Sequence, residues 1–583
     1  MQTFSSKPKI LPVPKSVKWG EGFLPWQKAA FEISQDGLPS GRFVSVEFDE
    51  SGVGQGYSLS VNRDGIFVRA ESESGAKFAL QTLRQIALQS PEDGMRFCEI
   101  TDSPDLQIRG FMLDISRCKV PTMRELALLV DRLALYKYNR LELYTEHTYA
   151  FAGHELVWAN SSPMTAAQYK NLDDICRFAG IELVANLNGL GHMERWLRYP
   201  QYAHLAESEA PFVDPLGNVR KFPTTLHPDA AAAEFMASLY DQFLPNFSSN
   251  KINIGGDEPW ELGMGRSKPL CRTPDDKYKL YIAHLSRLNE LCNERGKHAY
   301  FWADVLMKKP EYAALLPQNM TPVLWGYYLD HPYEQQCAYL EKLGRDFVVA
   351  PGTNTWNSFG SRIDCAFKNA ETACACAKKY GARGMILTQW GDGGNHQPWV
   401  AMFLPVAFAA ACAWSSVPTE EQVCDSLSKC VFSDSSGEFS RALCALGRCD
   451  VVEKLFCLHH KMFFAQPENA RKLAAEFPDA DYNALDGAAD FAASLAGASK
   501  ISSADAAVCV DEVALACRMM KWAFNRARGD FVVETVGQQT ELKFISAEFE
   551  RVWLERARLG GLAESAGKIR AVRPELFETA FFQ

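Results

Sequence analysis

The pattern of hydrophobic and polar positions changes twice along the chain. Before about residue 105, two short strand-like runs, YSLSVN and GIFVRAE, flank a polar turn at residues 62–65, and an amphipathic helical pattern follows around Phe78. This part predicts an N-terminal α+β domain over residues 1–104. From residue 417 the strand signal is lost and helical spacing takes over, which predicts a C-terminal helical domain over residues 417–583.

Eight short apolar runs recur between these two parts, each followed by a stretch with helical spacing. Strands this apolar are typical of a parallel sheet that is covered on both faces. The runs begin at Ile108, Arg140, Ile181, Lys251, His298, Pro322, Asp346 and Gly384. Eight alternating strands and helices predict an α/β fold, a closed (β/α)8 TIM barrel over residues 105–416. The alternative is an open doubly wound sheet, which does not need eight strands; no G-x-G-x-x-G follows the first run.

The length of the chain bears on the number of domains, and its charge bears on the binding partners to expect. A chain of 583 residues is expected to form two to four domains, which agrees with the three predicted parts. The net charge of -10 is spread along the chain without a basic block, so we expect neither nucleic acid nor an anionic membrane as a partner. No apolar run approaches the roughly 20 residues that cross a bilayer.

The cysteines and the N-terminus bear on the compartment. The 17 cysteines are scattered and contain no C-x-x-C pair, so the spacing predicts neither a zinc site nor a disulfide framework. Buried thiols of this kind are typical of a reducing compartment. The first residues lack the apolar core of a secretion signal, so we expect a cytoplasmic protein as the sequence stands, or a periplasmic or secreted one if a signal was removed.

Candidate chemistry collects at the C-terminal ends of the eight predicted strands, which is where barrels of this kind carry functional residues. The strand-end residues are Asp114, Arg117, Glu146, His147, Asn188, His192, Asp257, Glu258, Trp302, Asp304, Trp325, Tyr327, Asn354, Trp356, Trp390 and Asp392. Four tryptophans among carboxylates predict a pocket with apolar walls and a few polar groups, which suits the stacking of sugar rings.

The fourth strand ends in GGDE, which places Asp257 and Glu258 side by side after two glycines. Neighbouring residues of a regular strand point to opposite faces, and the glycines release the backbone from that constraint. Two carboxylates in different surroundings can divide the roles that glycosidic bond cleavage requires. Two alternatives are an ordinary solvated turn and the GGDE signature of diguanylate cyclases, in which phenylalanine follows in a hairpin, whereas Pro259 follows here.

Four segments together resemble glycoside hydrolase family 20, the β-N-acetylhexosaminidases, as a divergent branch. The stretch INIGGDE is similar to the family's H-x-G-G-D-E motif, and IRGFMLDISR to its first barrel strand. The segments NGLGHMERW and LTQWGDGG are similar to its third and eighth strand ends. The region before the barrel also resembles the domain that precedes the barrel in this family, so the matching segments run from about residue 10 to residue 400.

The resemblance implies a retaining exo-β-N-acetylhexosaminidase that releases terminal β-linked GlcNAc or GalNAc from glycans, without metal or cofactor. Glu258 would be the general acid and then the base, while Asp257 would orient the substrate's own 2-acetamido group as it forms an oxazolinium intermediate. The implied substrate-binding residues are Arg109 and Asp392 at the outer hydroxyls, Glu146 and His192 in a relay with Glu258, and Trp302, Trp325, Tyr327, Trp356 and Trp390 around the acetamido group.

Two departures from the family pattern keep other functions open. Asn253 stands where the family usually has histidine, and Asn188 replaces an aspartate; each keeps hydrogen-bonding capacity without a titratable group. They favour a non-catalytic sugar-binding protein on a degenerate glycosidase barrel as the alternative function. A third hypothesis is a glycosidase for sugars that lack a 2-acetamido group. Arg117 either pairs with Asp114 in the barrel wall or serves the site, and Glu261 is expected to be a solvated helix residue.

Overall fold

The computed structural model describes residues 7–50, 52–214, 217–449, 452–453, 456–478, 480–527 and 536–577. It contains a sheet with a helix packed on it, a closed barrel and a set of helices, in that order along the chain. Within these residues, none of the helices combines the length and the apolar character needed to cross a bilayer.

A five-stranded sheet precedes the barrel. Its strands are β1 (Ser16–Leu24), β2 (Val44–Phe48), β3 (Tyr57–Asn62), β4 (Gly65–Ala70) and β5 (Met95–Asp102), in the spatial order β1-β5-β3-β4-β2. The predicted turn at residues 62–65 closes the β3–β4 hairpin, with Asn62 opposite Gly65. Helix α1 (Glu73–Leu88) buries its apolar side on this sheet, because residues such as Phe78 and Leu83 recur at helical spacing.

The predicted TIM barrel is confirmed, with all eight strands at the predicted runs. They are β6 (Ile108–Asp114), β7 (Arg140–Tyr144), β8 (Glu182–Asn186), β9 (Lys251–Asn253), β10 (His298–Trp302), β11 (Met320–Trp325), β12 (Val348–Ala350) and β13 (Gly384–Gln389). Each strand pairs in parallel with the next along the chain, and β13 pairs with β6 to close the barrel. The strands are buried almost throughout because helices cover their outer faces, which explains their unbroken apolar character.

Seven longer helices accompany the barrel strands: α2 (Met123–Leu135), α3 (Ala166–Ala179), α4 (Ala230–Phe243), α5 (Asp276–Glu294), α6 (Tyr333–Lys342), α7 (Ile363–Lys379) and α8 (Phe403–Trp414). Shorter helices over Glu155–Trp158, Glu194–Leu197 and Asp304–Lys308 follow β7, β8 and β10 and lie near the site described below. A two-stranded ribbon, Phe212–Val213 with Val219–Arg220, projects from the long connection between β8 and β9.

The last part of the described chain is helical. Its helices are α9 (Glu420–Cys430), α10 (Glu438–Leu446), α11 (Leu458–Phe464), α12 (Pro467–Glu476), α13 (Tyr482–Ala498), α14 (Ala506–Ala527), α15 (Val536–Arg556) and α16 (Leu562–Arg570). A ladder of two residues per strand, Val452–Glu453 with Phe456–Cys457, interrupts them. The boundaries at residues 104 and 416 stay predictions.

Candidate active site

The backbone after β9 turns sharply so that two neighbouring acids meet one cavity. Gly255 and Gly256 have φ of +72° and +93°, and Glu258 itself has φ +45°, which is uncommon for a residue with a side chain. Regular strand geometry is therefore lost within two residues of Asn253. As a result Asp257 and Glu258 both line the same cavity instead of pointing to opposite faces.

Close backbone packing requires glycine at two places beside this turn. A Cβ on Gly255 would lie 2.2 Å from Oδ1 of Asn188, and a Cβ on Gly191 would lie 2.2 Å from the carbonyl oxygen of Asp257. The loop after β8 therefore packs directly on the loop after β9. This contact brings His192 to the two acids.

The cavity has a volume of about 120 Å³ and lies at the C-terminal ends of the barrel strands. Its wall combines four tryptophans and a tyrosine with two basic side chains and three carboxylates. The lining residues are Arg117, His192, Asp257, Glu258, Trp302, Trp325, Tyr327, Trp356, Trp390 and Asp392. Of the predicted site residues, the structure thus brings nine together here. Among the residues that the structure describes, no group of three or more His, Cys, Asp or Glu side chains is placed to hold a metal ion.

The aromatic wall is held by its own contacts. Trp390 Nε1 donates a hydrogen bond to the Tyr327 hydroxyl at 2.8 Å. The Trp325 ring stacks on Tyr327 at 5.2 Å between centroids, and Trp356 meets Tyr327 edge-on at 5.0 Å. The indole nitrogens of Trp302 and Trp325 are buried and have no hydrogen-bond partner among the described residues, so two donors are left for a ligand.

His192 links the two acids. Its Nε2 lies 3.1 Å from Oδ2 of Asp257 and 3.6 Å from Oε2 of Glu258. Burial lowers the pKa of this imidazole, but the charge of Asp257, its hydrogen bond and the charge of Glu258 together raise the pKa to about 9. The other carboxylate oxygen of Asp257, Oδ1, is buried and has no hydrogen-bond partner in the part of the chain that the structure describes. Asp257 is therefore held by His192 on one oxygen and has the other available to a ligand.

Glu258 also contacts Asp304, which does not line the cavity. The backbone N–H of Glu258 donates to Oδ2 of Asp304 at 3.4 Å. Burial, with smaller contributions from Asp257 and Asp392, raises the pKa of Glu258, while His192 opposes the shift. Burial and the charges of Asp257 and Glu258 raise the pKa of Asp304 to about 7. The raised pKa favours the protonated form of Glu258 over that of a free glutamate, which is the direction a general acid requires.

The prediction that Arg109 lies in the site is wrong. Its side chain is fully buried near the start of β6, at the opposite end of the barrel from the cavity. Its Nε donates to the carbonyl of Lys137 at 2.8 Å and its Nη1 to that of Leu106 at 2.7 Å, and the guanidinium lies 4.7 Å from the centroid of Trp414. The guanidinium also lies 4.8 Å from the centroid of Phe78, so Arg109 packs between the barrel and helix α1.

Arg117 occupies the cavity instead. Its guanidinium lies 3.3 Å from Asp114, 3.5 Å from Glu146 and 3.8 Å from Asp392. The signal was present in the sequence, because Arg117 follows the end of the first strand, whereas Arg109 stands at its beginning. Of the two hypotheses for Arg117, the structure favours a place in the site.

Glu146 and Glu261 do not lie where the sequence predicted them. Glu146 is buried and does not line the cavity; it accepts a hydrogen bond from the Tyr144 hydroxyl at 3.0 Å and reaches the site through Arg117. Glu261 is buried and accepts hydrogen bonds from the backbone and the hydroxyl of Thr224 at 2.6 and 2.7 Å. The expectation of a solvated Glu261 is wrong because the loop that carries Thr224 folds over it.

The two asparagines that depart from the family pattern support the loops. Asn188 donates from Nδ2 to the Tyr144 hydroxyl at 2.7 Å, and Asn253 accepts from the backbone N–H of Gly255 at 3.0 Å. Both side chains are buried. They hold the turn that carries Asp257 without adding charge beside it.

The chain is similar in sequence and in fold to several known proteins. The β-hexosaminidase of Akkermansia muciniphila is 25% identical over 274 residues, which cover 42% of this chain and 55% of that protein. The chain spans about half the length of the curated relatives it matches. The structure of Flavobacterium johnsoniae chitobiase covers 97% of this chain, and 100% of the chitobiase chain is matched, with a TM-score of 0.60 and 15% identity.

A second solved structure, the exo-β-N-acetylglucosaminidase of Vibrio harveyi in complex with N-acetylglucosamine, covers 77% of this chain and 79% of its own, with a TM-score of 0.60 and 16% identity. At these identities the structural likeness concerns the fold. The model of glycosyl hydrolase family 20, domain 2, matches residues 43–103. The catalytic-domain model of the same family matches residues 107–423, which is more than half of the chain. The chain therefore belongs to glycosyl hydrolase family 20.

Proposed function

We propose that this protein is a retaining exo-β-N-acetylhexosaminidase, which hydrolyses terminal β-linked GlcNAc or GalNAc with help from the substrate's own acetamido group. The observation that carries the proposal is the pair Asp257 and Glu258, which share one aromatic cavity although they are neighbours in the sequence. Family membership and the names of the relatives agree with this activity. The cavity also has the apolar walls and the few buried polar groups that a sugar site requires.

Each acid has a separate role in this mechanism. Glu258 gives its proton to the glycosidic oxygen while the acetamido oxygen attacks the anomeric carbon, so that the bond to the leaving group breaks and an oxazolinium ion forms. Asp257 accepts the acetamido N–H through its unpartnered Oδ1 and stabilises the positive charge. Water then attacks the anomeric carbon and gives a proton to the ionised Glu258, while the bond between that carbon and the acetamido oxygen breaks and the acetamido group is restored. Two displacements on opposite faces leave the configuration retained.

The remaining wall residues position the sugar. Trp302, Trp325 and Trp356 surround the acetamido group, and the Tyr327 hydroxyl, which accepts from Trp390, can donate its own proton to the acetamido oxygen. Arg117 and Asp392, 3.8 Å apart, hold the outer hydroxyls in place of the arginine first expected there. Glu146 acts through Arg117 and orients it.

The test uses the 4-nitrophenyl β-glycosides of GlcNAc and GalNAc. We expect turnover of at least one of them, a loss of about 10²–10⁴-fold in kcat for Glu258→Gln, and a comparable loss for Asp257→Asn. Glu194→Gln is the matched control, because that carboxylate pairs with Arg198 at 2.7 Å outside the cavity. Because Glu258 must carry its proton, kcat/KM is expected to fall as the pH rises through the raised pKa. Equal activity of wild type and Glu258→Gln contradicts the proposal.

The second candidate function is non-catalytic sugar binding, and the buried Asn188 and Asn253 favour it because both lack the titratable group of the family pattern. Binding of N-acetylglucosamine thiazoline, measured by calorimetry, separates the two. Tight binding of the thiazoline with no turnover of either aryl glycoside supports the second function. Tight binding with turnover, both lost in Asp257→Asn, supports the enzyme.

A further inference from the structure

A second cavity of about 120 Å³ adjoins the first one and shares Glu258 with it. Its wall includes Trp260 and Leu262 from the chain after Glu258, Lys277 and Tyr278 from α5, and Lys308 from the short helix after β10. A general acid must touch the oxygen between the sugar that is released and its leaving group. If the sugar lies in the aromatic cavity, we expect the leaving group to lie in the second cavity, because the two cavities share Glu258.

Two lysines of this leaving-group cavity form no ion pair with any residue that the structure describes. Lys277 and Lys308 are exposed, and neither has an acidic partner within 4.0 Å among the described residues. Their sequence neighbours behave differently, since Lys279 pairs with Asp276 at 3.3 Å and Lys309 with Asp275 at 3.2 Å. Two exposed ammonium groups that contact no carboxylate among the described residues favour an anion in this cavity.

Trp260 supplies the apolar side of the same cavity. The Arg220 guanidinium lies 4.4 Å from the centroid of the Trp260 ring and is itself held by Asp214 at 2.8 Å. Arg220 thus contacts the Trp260 ring, and the ring also lines the cavity. An aromatic ring beside cationic side chains suits a sugar that carries a negative charge.

We propose that the leaving-group cavity selects an anionic sugar on the reducing side of the scissile bond, with Lys277 and Lys308 binding its carboxylate or sulfate. The inference rests on the proposed function and names its substrate class. A hexuronic acid and a sulfated hexose present the same charge to the lysines. Lys308 also lowers the pKa of Asp304. If Lys308 acted only through Asp304, its substitution would change the cleavage rates of charged and neutral substrates by the same factor.

The test compares three disaccharides in which GlcNAc is β-1,4-linked to glucuronic acid, to glucose 6-sulfate or to glucose. The readout is the ratio of kcat/KM on each anionic disaccharide to kcat/KM on the glucose one. We expect wild type to prefer at least one anionic disaccharide by about 4-fold or more. Each of Lys277→Met and Lys308→Met should reduce this ratio about 2- to 5-fold, as exposed charge pairs do. The ratio should also shrink in 0.5 M salt, because salt screens exposed charges.

Lys279→Met is the control, since this lysine lies on the same helix, pairs with Asp276 and does not line the cavity. It should leave the ratio unchanged. The inference is overturned by a ratio near one in wild type, by lysine variants that lower all three rates equally, or by cleavage of neither anionic disaccharide while the aryl glycoside is turned over. The proposed function is tested separately, by turnover of the aryl glycosides and its loss in Glu258→Gln, so its failure is distinguishable from failure of the inference. The preferred disaccharide shows whether the anion is a carboxylate or a sulfate.

Discussion

Two arginines, one in the first barrel strand and one just after it, show that the position of a residue along the strand decides whether it reaches the site. Arg109 and Arg117 carry the same charged group, but Arg109 lies near the start of β6 among backbone carbonyls, and Arg117 lies beyond its end among carboxylates. The resemblance to the family's first strand drew attention to the wrong one. The general rule that barrel sites lie at the C-terminal ends of strands selects the right one.

Substitution of the two arginines should separate stability from activity. Arg109→Met leaves the carbonyls of Leu106 and Lys137 without a donor, so we expect a loss of about 2–4 kcal/mol in the free energy of unfolding and a KM near that of wild type. Arg117→Lys keeps the charge but loses the planar fork, so kcat/KM should fall about 10- to 100-fold. Thermal unfolding measures the stability of each variant, and aryl glycoside kinetics measure its activity. A large rise in KM for Arg109→Met contradicts the conclusion that Arg109 lies outside the site.

At the scale of elements, the site depends on two loops that pack backbone against backbone. The turn after β9 carries Asp257 and Glu258, and the loop after β8 carries His192. Gly255 lies where they meet, with a positive φ and with Asn188 Oδ1 at 2.2 Å from the position of a Cβ. The glycine is therefore needed both for the turn and for the contact.

Gly255→Ala should lower both stability and activity. Its matched control is Gly296→Ala, because Gly296 also has a positive φ, +67°, but nothing lies within 4 Å of its Cβ position. The control should lose only the conformational energy, about 1–2 kcal/mol. Gly255→Ala should lose more and should lower kcat, because Asn188 or the turn must shift. Equal losses in the two variants, with unchanged kcat, would show that the contact has no role in placing Asp257.

At the scale of the whole molecule, a buried ion network joins the helical part to the barrel. Arg556 of α15 contacts Glu125 of the barrel helix α2 at 2.8 Å, Asp505 at 2.7 Å and Glu512 at 3.2 Å. Arg132, also of α2, contacts Asp505 at 2.6 Å. Because all of these groups are removed from water, the removal of one charge leaves the others uncompensated.

Arg556→Met should therefore lower the free energy of unfolding by about 3–5 kcal/mol. Arg551→Met is the control on the same helix; its pairs with Asp511 and Glu548 are exposed, and we expect a loss below about 1 kcal/mol. Both can be measured by urea unfolding at neutral pH. If the two variants are equally stable, the network does not hold the helical part on the barrel.

The sequence alone was enough to determine the barrel, its eight strands and the β3–β4 turn. It also located the candidate functional residues at the C-terminal ends of the barrel strands. These features follow from local patterns, because apolar runs and turn residues act through neighbours in the chain. The tertiary structure decided which arginine faces the cavity, that Glu261 is buried under Thr224, and that two lysines line a cavity together with Glu258. Those outcomes depend on which loops pack together across the barrel, and no local pattern encodes such long-range contacts.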